Sequence, residues 1–249
     1  MTPLIYVSYG MAKSGSTLAF RLVSAVLEQA GLGQEDVDLR PLIPGADRRF
    51  VEVIRPRELA ALRDLAEARG RIVAVKTHSG LWDCVLRGLE EGWIAAHAVA
   101  RDPRDVALSM MDAARQGRGW GGRTRPYGGI EETAPVIRAQ IEKFQKWVAA
   151  PNVLPLAYEP LAFGAAGEAA RIAAQLGLTV DAEAAAKAAL AAGTNLNVGR
   201  PRRHRQEMAP VLSEAFAAEF GEFIRRWCAP DFAPPAPPRR GLLPRLGLR

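Results

Sequence analysis

The sequence predicts an α/β fold: a central, mainly parallel sheet flanked by helices in a three-layer sandwich. Two observations carry this. Short apolar segments alternate with amphipathic helical segments along most of the chain, the pattern of parallel strands joined by helical crossovers. The 249 residues are enough for one such domain with a sizeable core, and 49% hydrophobic with 24% charged residues is ordinary for a globular protein. The α/β domain is expected to occupy residues 1–228, with a Pro/Arg-rich tail at 229–249.

The elements follow in order. Leu4 to Tyr9 is apolar, β-branched and aromatic, and reads as a buried strand. A turn with Gly10, Lys13, Ser14, Gly15, Ser16 and Thr17 leads straight into an apolar helix. Residues 31–55 show no clear periodicity. A helix starts near Pro56, a residue suited to a first turn, and runs to Gly70. Ile72 to Lys76 is a second strand. Ser79 is placed as the cap of a helix through Trp82, Val85 and Leu89, closed by Gly92. Trp93 to Ala100 is a third strand, and Asp102-Pro103 opens a helix that ends near Gly117. The Gly- and Arg-rich stretch from Arg118 to Gly129 reads as a loop. A long helix from Glu131 to Ala149 precedes a fourth strand, Val153 to Tyr158. Two Ala-rich helices follow, at Ala165 to Leu176 and Asp181 to Ala192. A basic loop from Asn195 to Gln206 leads to a last helix, Val211 to Trp227.

Bulk properties narrow the class. A net charge of +6 favours an anionic partner without choosing among nucleotide, nucleic acid, acidic glycan and membrane surface. Cys84 and Cys228 have no partner at metal-ligand spacing, so no metal is expected and a reduced, cytoplasmic setting is. No signal peptide and no apolar run long enough to span a bilayer is evident.

Four patches fall where an open α/β sheet places its ligands, at the carboxyl ends of the strands. The first is Lys13 to Thr17. A strand, a small-residue turn and a helix aim open backbone N–H groups and a positive helix end at one point. With a lysine and hydroxyls there, it suits a phosphate-like or sulfate-like group. The lysine precedes the glycine, so this is not a Walker A loop; a turn packed with small residues for its own sake has the same composition. The second patch is Lys76-Thr77-His78, a cation beside a histidine suited to act as a base, or else a surface lysine and a capping histidine. The third is Arg101 to Asp105 with Ser109. Arg101 offers a forked donor for phosphate, while Arg104 and the aspartates also fit a helix-start ion-pair cluster. His97, inside its strand, reads as a core histidine. The fourth is Gly199-Arg200-Pro201-Arg202-Arg203-His204-Arg205, where crowded cations call for a neutralising anion unless the loop is simply solvated.

With these patches in hand, the chain resembles the sulfotransferases that use 3′-phosphoadenosine-5′-phosphosulfate (PAPS), over Leu4 to about Trp227. AKSGST resembles that family's 5′-phosphosulfate loop, usually written PKSGTTW; KTH at Lys76 to His78 resembles its strand-end KTH. VARDPRDVALS is similar to its 3′-phosphate motif, and LAYEPL to its strand-end Tyr-Glu. The resemblance implies a P-loop-like sandwich and in-line transfer of a sulfuryl group from PAPS to a hydroxyl or amine, with PAP as product and no metal. It implies that His78 is the catalytic base, that Lys13 and Lys76 serve the transferring group, and that Ser14, Gly15, Ser16 and Thr17 bind the phosphosulfate. Arg101 and Ser109 would hold the 3′-phosphate and Tyr158 the adenine. The chain departs from the pattern at Leu18, where the family has tryptophan, and at NVGRPRRHR, where it has RKGxxGDWK; there Gly199 with Arg200 or Arg202 would supply the remaining 3′-phosphate contact.

The acceptor class stays open among small molecules, lipids and glycans. The cations and aromatics of residues 115–127 suit an anionic glycan among these. No nucleic acid and no integral membrane segment enters this reading. Two other readings fit parts of the sequence. A small-molecule kinase would share the phosphate seat, but no aspartate for Mg²⁺ is evident after the second or third strand. A non-catalytic basic protein would bind nucleic acid or anionic membrane through residues 199–205 and the tail, with a steep salt dependence.

Overall fold

The computed structural model describes residues 4–117, 127–192 and 202–228. In chain order the elements are β1 (Ile5–Gly10), α1 (Ser16–Gln29), α2 (Pro56–Arg69), β2 (Val73–Thr77), α3 (Asp83–Glu91), β3 (Ile94–Ala100) and α4 (Pro103–Arg115). A 3₁₀ turn (Ile130–Thr133) then runs into α5 (Ala134–Ala149). After it come β4 (Val153–Ala157), α6 (Tyr158–Phe163), α7 (Ala165–Leu176), α8 (Ala182–Ala191), α9 (His204–Glu207) and α10 (Pro210–Trp227). The four strands form one sheet in the order β2-β1-β3-β4, and every pairing is parallel. All four carboxyl ends therefore lie along one edge of the sheet.

Alternation along the strands builds two cores. Ile5, Val7 and Tyr9 of β1 face the layer of α2, α3, α4, α5 and α10, where Leu62, Leu89, Phe144 and Trp147 are buried. Tyr6 faces the layer of α1, α7 and α8, with Leu22, Ile172 and Ala185. Ser8 and His97 are polar residues of the central strands: their side chains bond to each other at 2.8 Å in the interior. His97 is thus the core histidine expected, and burial pushes its pKa down to about 3.

Local signals set most boundaries. At α2, Pro56 occupies the first turn, Glu58 reaches back to the Arg55 amide at 3.0 Å, and Gly70 ends the helix with φ 61°. At α4, Asp102 accepts the Arg104 amide at 3.0 Å. Three expectations need correcting. Ser79 is not a helix cap: α3 starts at Asp83, and Ser79 instead braces its own loop, its amide bonded to Thr77 Oγ1 and its carbonyl accepting from Trp147 Nε1, both at 3.1 Å. The fourth strand ends at Ala157, because Tyr158 begins α6, a helix too short to show a period. The basic loop drawn from Asn195 to Gln206 contains α9, a helix fixed by ion pairs to α4 rather than by any pattern of its own. Of the segments read as loop or tail, residues 118–126, 193–201 and 229–249 lie outside the described residues.

Residues 31–55, without periodicity, still pack. Val37, Leu39, Ile43, Val51 and Ile54 are buried. Lys76 donates its amide to Arg49 O and accepts from Val51 N, both at 2.9 Å, so this segment covers the exposed edge of β2. Gln34 pins the other end. It is fully buried; its Nε2 donates to Leu32 O at 2.7 Å and Ile72 O at 2.8 Å, and its Oε1 accepts from Ala74 N at 2.9 Å. Replacing it by leucine strands buried backbone groups, which costs about 1–3 kcal/mol. Gln34→Leu is therefore expected to lower the urea midpoint at an unchanged m-value.

Candidate active site

The turn after β1 is shaped by two left-handed residues, Lys13 (φ 66°) and Gly15 (φ 88°). The Ser14 amide and hydroxyl both donate to Met11 O, at 3.2 and 2.6 Å, and the Ala12 amide donates to Gln140 Oε1 of α5. Glycine is required twice. A Cβ on Gly15 would come within 2.9 Å of the Tyr158 ring, besides the strain of its φ, and one on Gly10 would come within 2.6 Å of Ser16 Cβ. The outcome is a tight entry to α1. There the amides of Gly15, Ser16 and Thr17 have no acceptor among the described residues. The Ser14 hydroxyl is committed to the turn itself, so Ser16 and Thr17 carry the hydroxyls that can serve a ligand.

The other three strand tips bond into this turn. From β2, Lys76 Nζ donates to Thr17 Oγ1 at 2.9 Å, and His78 Nδ1 bonds Gly10 O at 2.8 Å. A carbonyl only accepts, so Nδ1 carries the proton and Nε2 the lone pair. Burial, then the charge of Lys76, brings the His78 pKa down to about 4. The imidazole is therefore neutral at pH 7. Burial, then Arg21, brings Lys76 down to about 8. Arg21 lies one helical turn beyond Thr17, and its Nη1 is buried without a hydrogen-bond partner. The Phe50 ring sits 5.6 Å from the imidazole, held there by the pairing of residues 49 and 51 with Lys76.

From β3, Arg101 donates Nη1 to Lys13 O at 3.3 Å. From β4, Tyr158 lays its ring 3.9 Å from the Arg101 guanidinium and against Gly15. Arg101 is 6% exposed, and its Nε has no partner among the described residues. Arg104 is the ion-pair residue the sequence allowed, with Nε and Nη2 on the Asp102 carboxylate at 2.9 and 2.6 Å. Ser109 is buried on α4, on the same face as Asp105 and Asp112.

The fourth patch divides. Gly199 and Arg200 lie outside the described residues. Arg203 is spent on Asp112 at 2.9 Å and Glu207 at 2.6 Å. His204 is spent on Asp105, which accepts its amide at 2.9 Å and its Nδ1 at 2.8 Å. Arg202 precedes α9 with φ 51°, at the place where the resembled motif has its second glycine. The sequence reading passed over Gln140, Arg21 and Phe50, and took Asp105 only as a member of a helix-start ion-pair cluster. Of the three passed over, Arg21 carried a signal, four residues beyond Thr17 on the same face of α1.

No family model matches the chain, and no curated protein matches it. Solved structures do. A retinol dehydratase in complex with androsterone and PAP is 16% identical with a TM-score of 0.61, over 94% of this chain and 84% of that one. Mouse sulfotransferase SULT7A1, complexed with PAP, is 17% identical with a TM-score of 0.54, over 89% and 84%. A sulfotransferase from Alicyclobacillus acidocaldarius is 14% identical with a TM-score of 0.51, over 90% and 94%. The chain thus has the sulfotransferase fold.

Left-handed backbone at a residue with a Cβ costs about 1 kcal/mol or more. Arg202→Gly is expected to raise the melting temperature by a few degrees. If Arg202 also binds the ligand, PAP affinity falls in the same variant, so the two readouts separate a backbone role from a binding one.

Proposed function

We propose that this protein is a PAPS-dependent sulfotransferase acting on a hydroxyl or amine acceptor. The observation that carries the reading is the convergence of three strand tips on the turn and helix start that follow the fourth: His78 on Gly10, Lys76 on Thr17, Arg101 on Lys13 and Tyr158 against Gly15. These bring together the side chains that the resemblance assigns to the base, the phosphosulfate, the 3′-phosphate and the adenine. The PAP in the similar structures supports this choice of nucleotide.

PAPS supplies an activated sulfuryl group on a phosphosulfate bond. The chain's part is alignment and charge stabilisation. The open amides of Gly15, Ser16 and Thr17 bind the phosphosulfate oxygens at the positive end of α1. Lys76, with one of its three N–H donors on Thr17, turns the others to a sulfuryl oxygen. His78 Nε2 takes the acceptor proton as the acceptor oxygen or nitrogen bonds to sulfur. The bond from sulfur to the bridging oxygen breaks, and Lys13 neutralises the charge left on that oxygen as PAP departs. Arg101 and Ser109 hold the 3′-phosphate, with Arg200 or Arg202 completing the contact; Tyr158 borders the adenine.

A thermal-shift comparison of PAP, ADP and ATP tests the nucleotide. PAP without metal should stabilise the protein by several kcal/mol at ligand far above its dissociation constant. Stabilisation by Mg²⁺-ATP above that by PAP would instead mark a kinase. Lys13→Ala and His78→Ala should each reduce PAPS turnover by about 10²-fold or more; near-normal turnover in His78→Ala removes it as the base.

The pH profile gives a second check. His78 must be neutral to accept a proton, so kcat/KM for PAPS, which reports the free protein, should stay flat through the usual histidine range and fall only as pH approaches about 4. Lys76 must be charged to hold an anion. The KM for PAPS should therefore rise above about pH 8, and Lys76→Arg should remove that rise. An acid limb near 6.5 would contradict the buried, cation-flanked imidazole.

A further inference from the structure

Asp105 is fully buried and divides its carboxylate between two tasks. Oδ1 takes both bonds from His204, the amide at 2.9 Å and Nδ1 at 2.8 Å. Oδ2 faces Arg101 Nη2 at 3.6 Å, beyond hydrogen-bonding distance, and has no hydrogen-bond partner among the described residues. Arg101 is thus attracted by a charge that does not consume its donors. Among the described residues, its Nη1 has a hydrogen-bond acceptor, Lys13 O, and the buried Nε has none. Tyr158 covers one face of the guanidinium, so it cannot swing away on that side. Unpaired donors on a buried guanidinium are costly unless an acceptor arrives.

We propose that Asp105 and His204 are positioning residues for 3′-phosphate recognition. Asp105 orients Arg101, and His204, by occupying Oδ1, keeps the carboxylate from closing on the guanidinium and taking its donors. This rests on the reading above that Arg101 binds the 3′-phosphate. The same carboxylate anchors α9, which directly follows the segment carrying Gly199 and Arg200. One buried group therefore faces Arg101 and holds the start of α9 against α4. Arg203 strengthens the anchor through Asp112 and Glu207, at 2.9 and 2.6 Å.

The sign of one substitution separates this from plain electrostatics. A carboxylate that merely sat near a bound phosphate would repel it, so its neutralisation would tighten binding. A positioning carboxylate gives the opposite sign. Dissociation constants of PAP and of ADP, which lacks the 3′-phosphate, are measured for the full chain and for Asp105→Asn and His204→Ala, with melting temperatures alongside. Asp105→Asn should weaken PAP about tenfold, the scale of a charge-assisted hydrogen bond misaligned, and leave ADP within about twofold. His204→Ala should narrow the PAP-to-ADP preference in the same direction, although Asp105 and Arg101 are intact. Tighter PAP in Asp105→Asn, or equal losses for both nucleotides, overturns the proposal. If Asp105→Asn does not fold, the His204→Ala ratio decides alone: an unchanged ratio overturns it. A wild-type protein with no preference for PAP over ADP defeats the nucleotide assignment itself, which is a different result.

Discussion

The structure depends on the backbone of one turn. Lys13 and Gly15 take left-handed conformations so that the chain can leave β1 and enter α1 within five residues. That reversal exposes the first amides of α1 and presents the carbonyls of Gly10 and Lys13 outward. His78 and Arg101, from two other strands, bond to those same two carbonyls. Each bonds its carbonyl through one polar atom, His78 through Nδ1 and Arg101 through Nη1. The turn is thus both the anion seat and the jig that holds the groups around it.

Much of this was legible in the sequence, and the reasons differ from place to place. Strands such as Ile94–Ala100 and helices such as Pro56–Arg69 announce themselves through apolar runs, capping residues and terminal glycines, all of them local. The proximity of the candidate residues was legible because parallel topology sends strand exits to one edge, so motifs far apart in sequence had to be neighbours. What was not legible depends on partners that only tertiary structure supplies. Ser79 has the composition of a cap but braces the loop behind His78 through Thr77 and Trp147. Helix α9 has four residues and no periodicity; Asp105, Asp112 and Arg203 decide it. In the run of cations after Gly199, Arg203 looks like a phosphate ligand by composition, yet Asp112 and Glu207 already hold it.

The charge of the site is unevenly divided, and the division follows the chemistry proposed for each half. Around Arg101 the protein supplies its own carboxylates: Asp105 at 3.6 Å, with Asp102 on Arg104 and Glu159 close enough to feel Arg101. Burial raises the Glu159 pKa, and Arg101 pulls against that rise. Such a half binds through geometry, because its net charge is small. Around Thr17 the balance is different. Lys76 and Arg21 repel each other there, and neither makes an ion pair among the described residues. Lys76 and Lys143 also oppose the charging of His78, after burial.

That uneven division explains how one fold can keep a lysine charged and a histidine neutral two residues apart. Both side chains are desolvated, which disfavours the cation in each. Lysine starts from a pKa of 10.5 and comes to about 8, so its proton survives at pH 7; histidine starts from 6.5 and comes to about 4, so its proton does not. An incoming polyanion acts on the pair in one direction. It restores the lysine's preference for its proton and raises the basicity of the imidazole, so that a weak base in the open site becomes a stronger one when the phosphosulfate is seated. The nucleotide would then complete the base as well as deliver the group to be transferred.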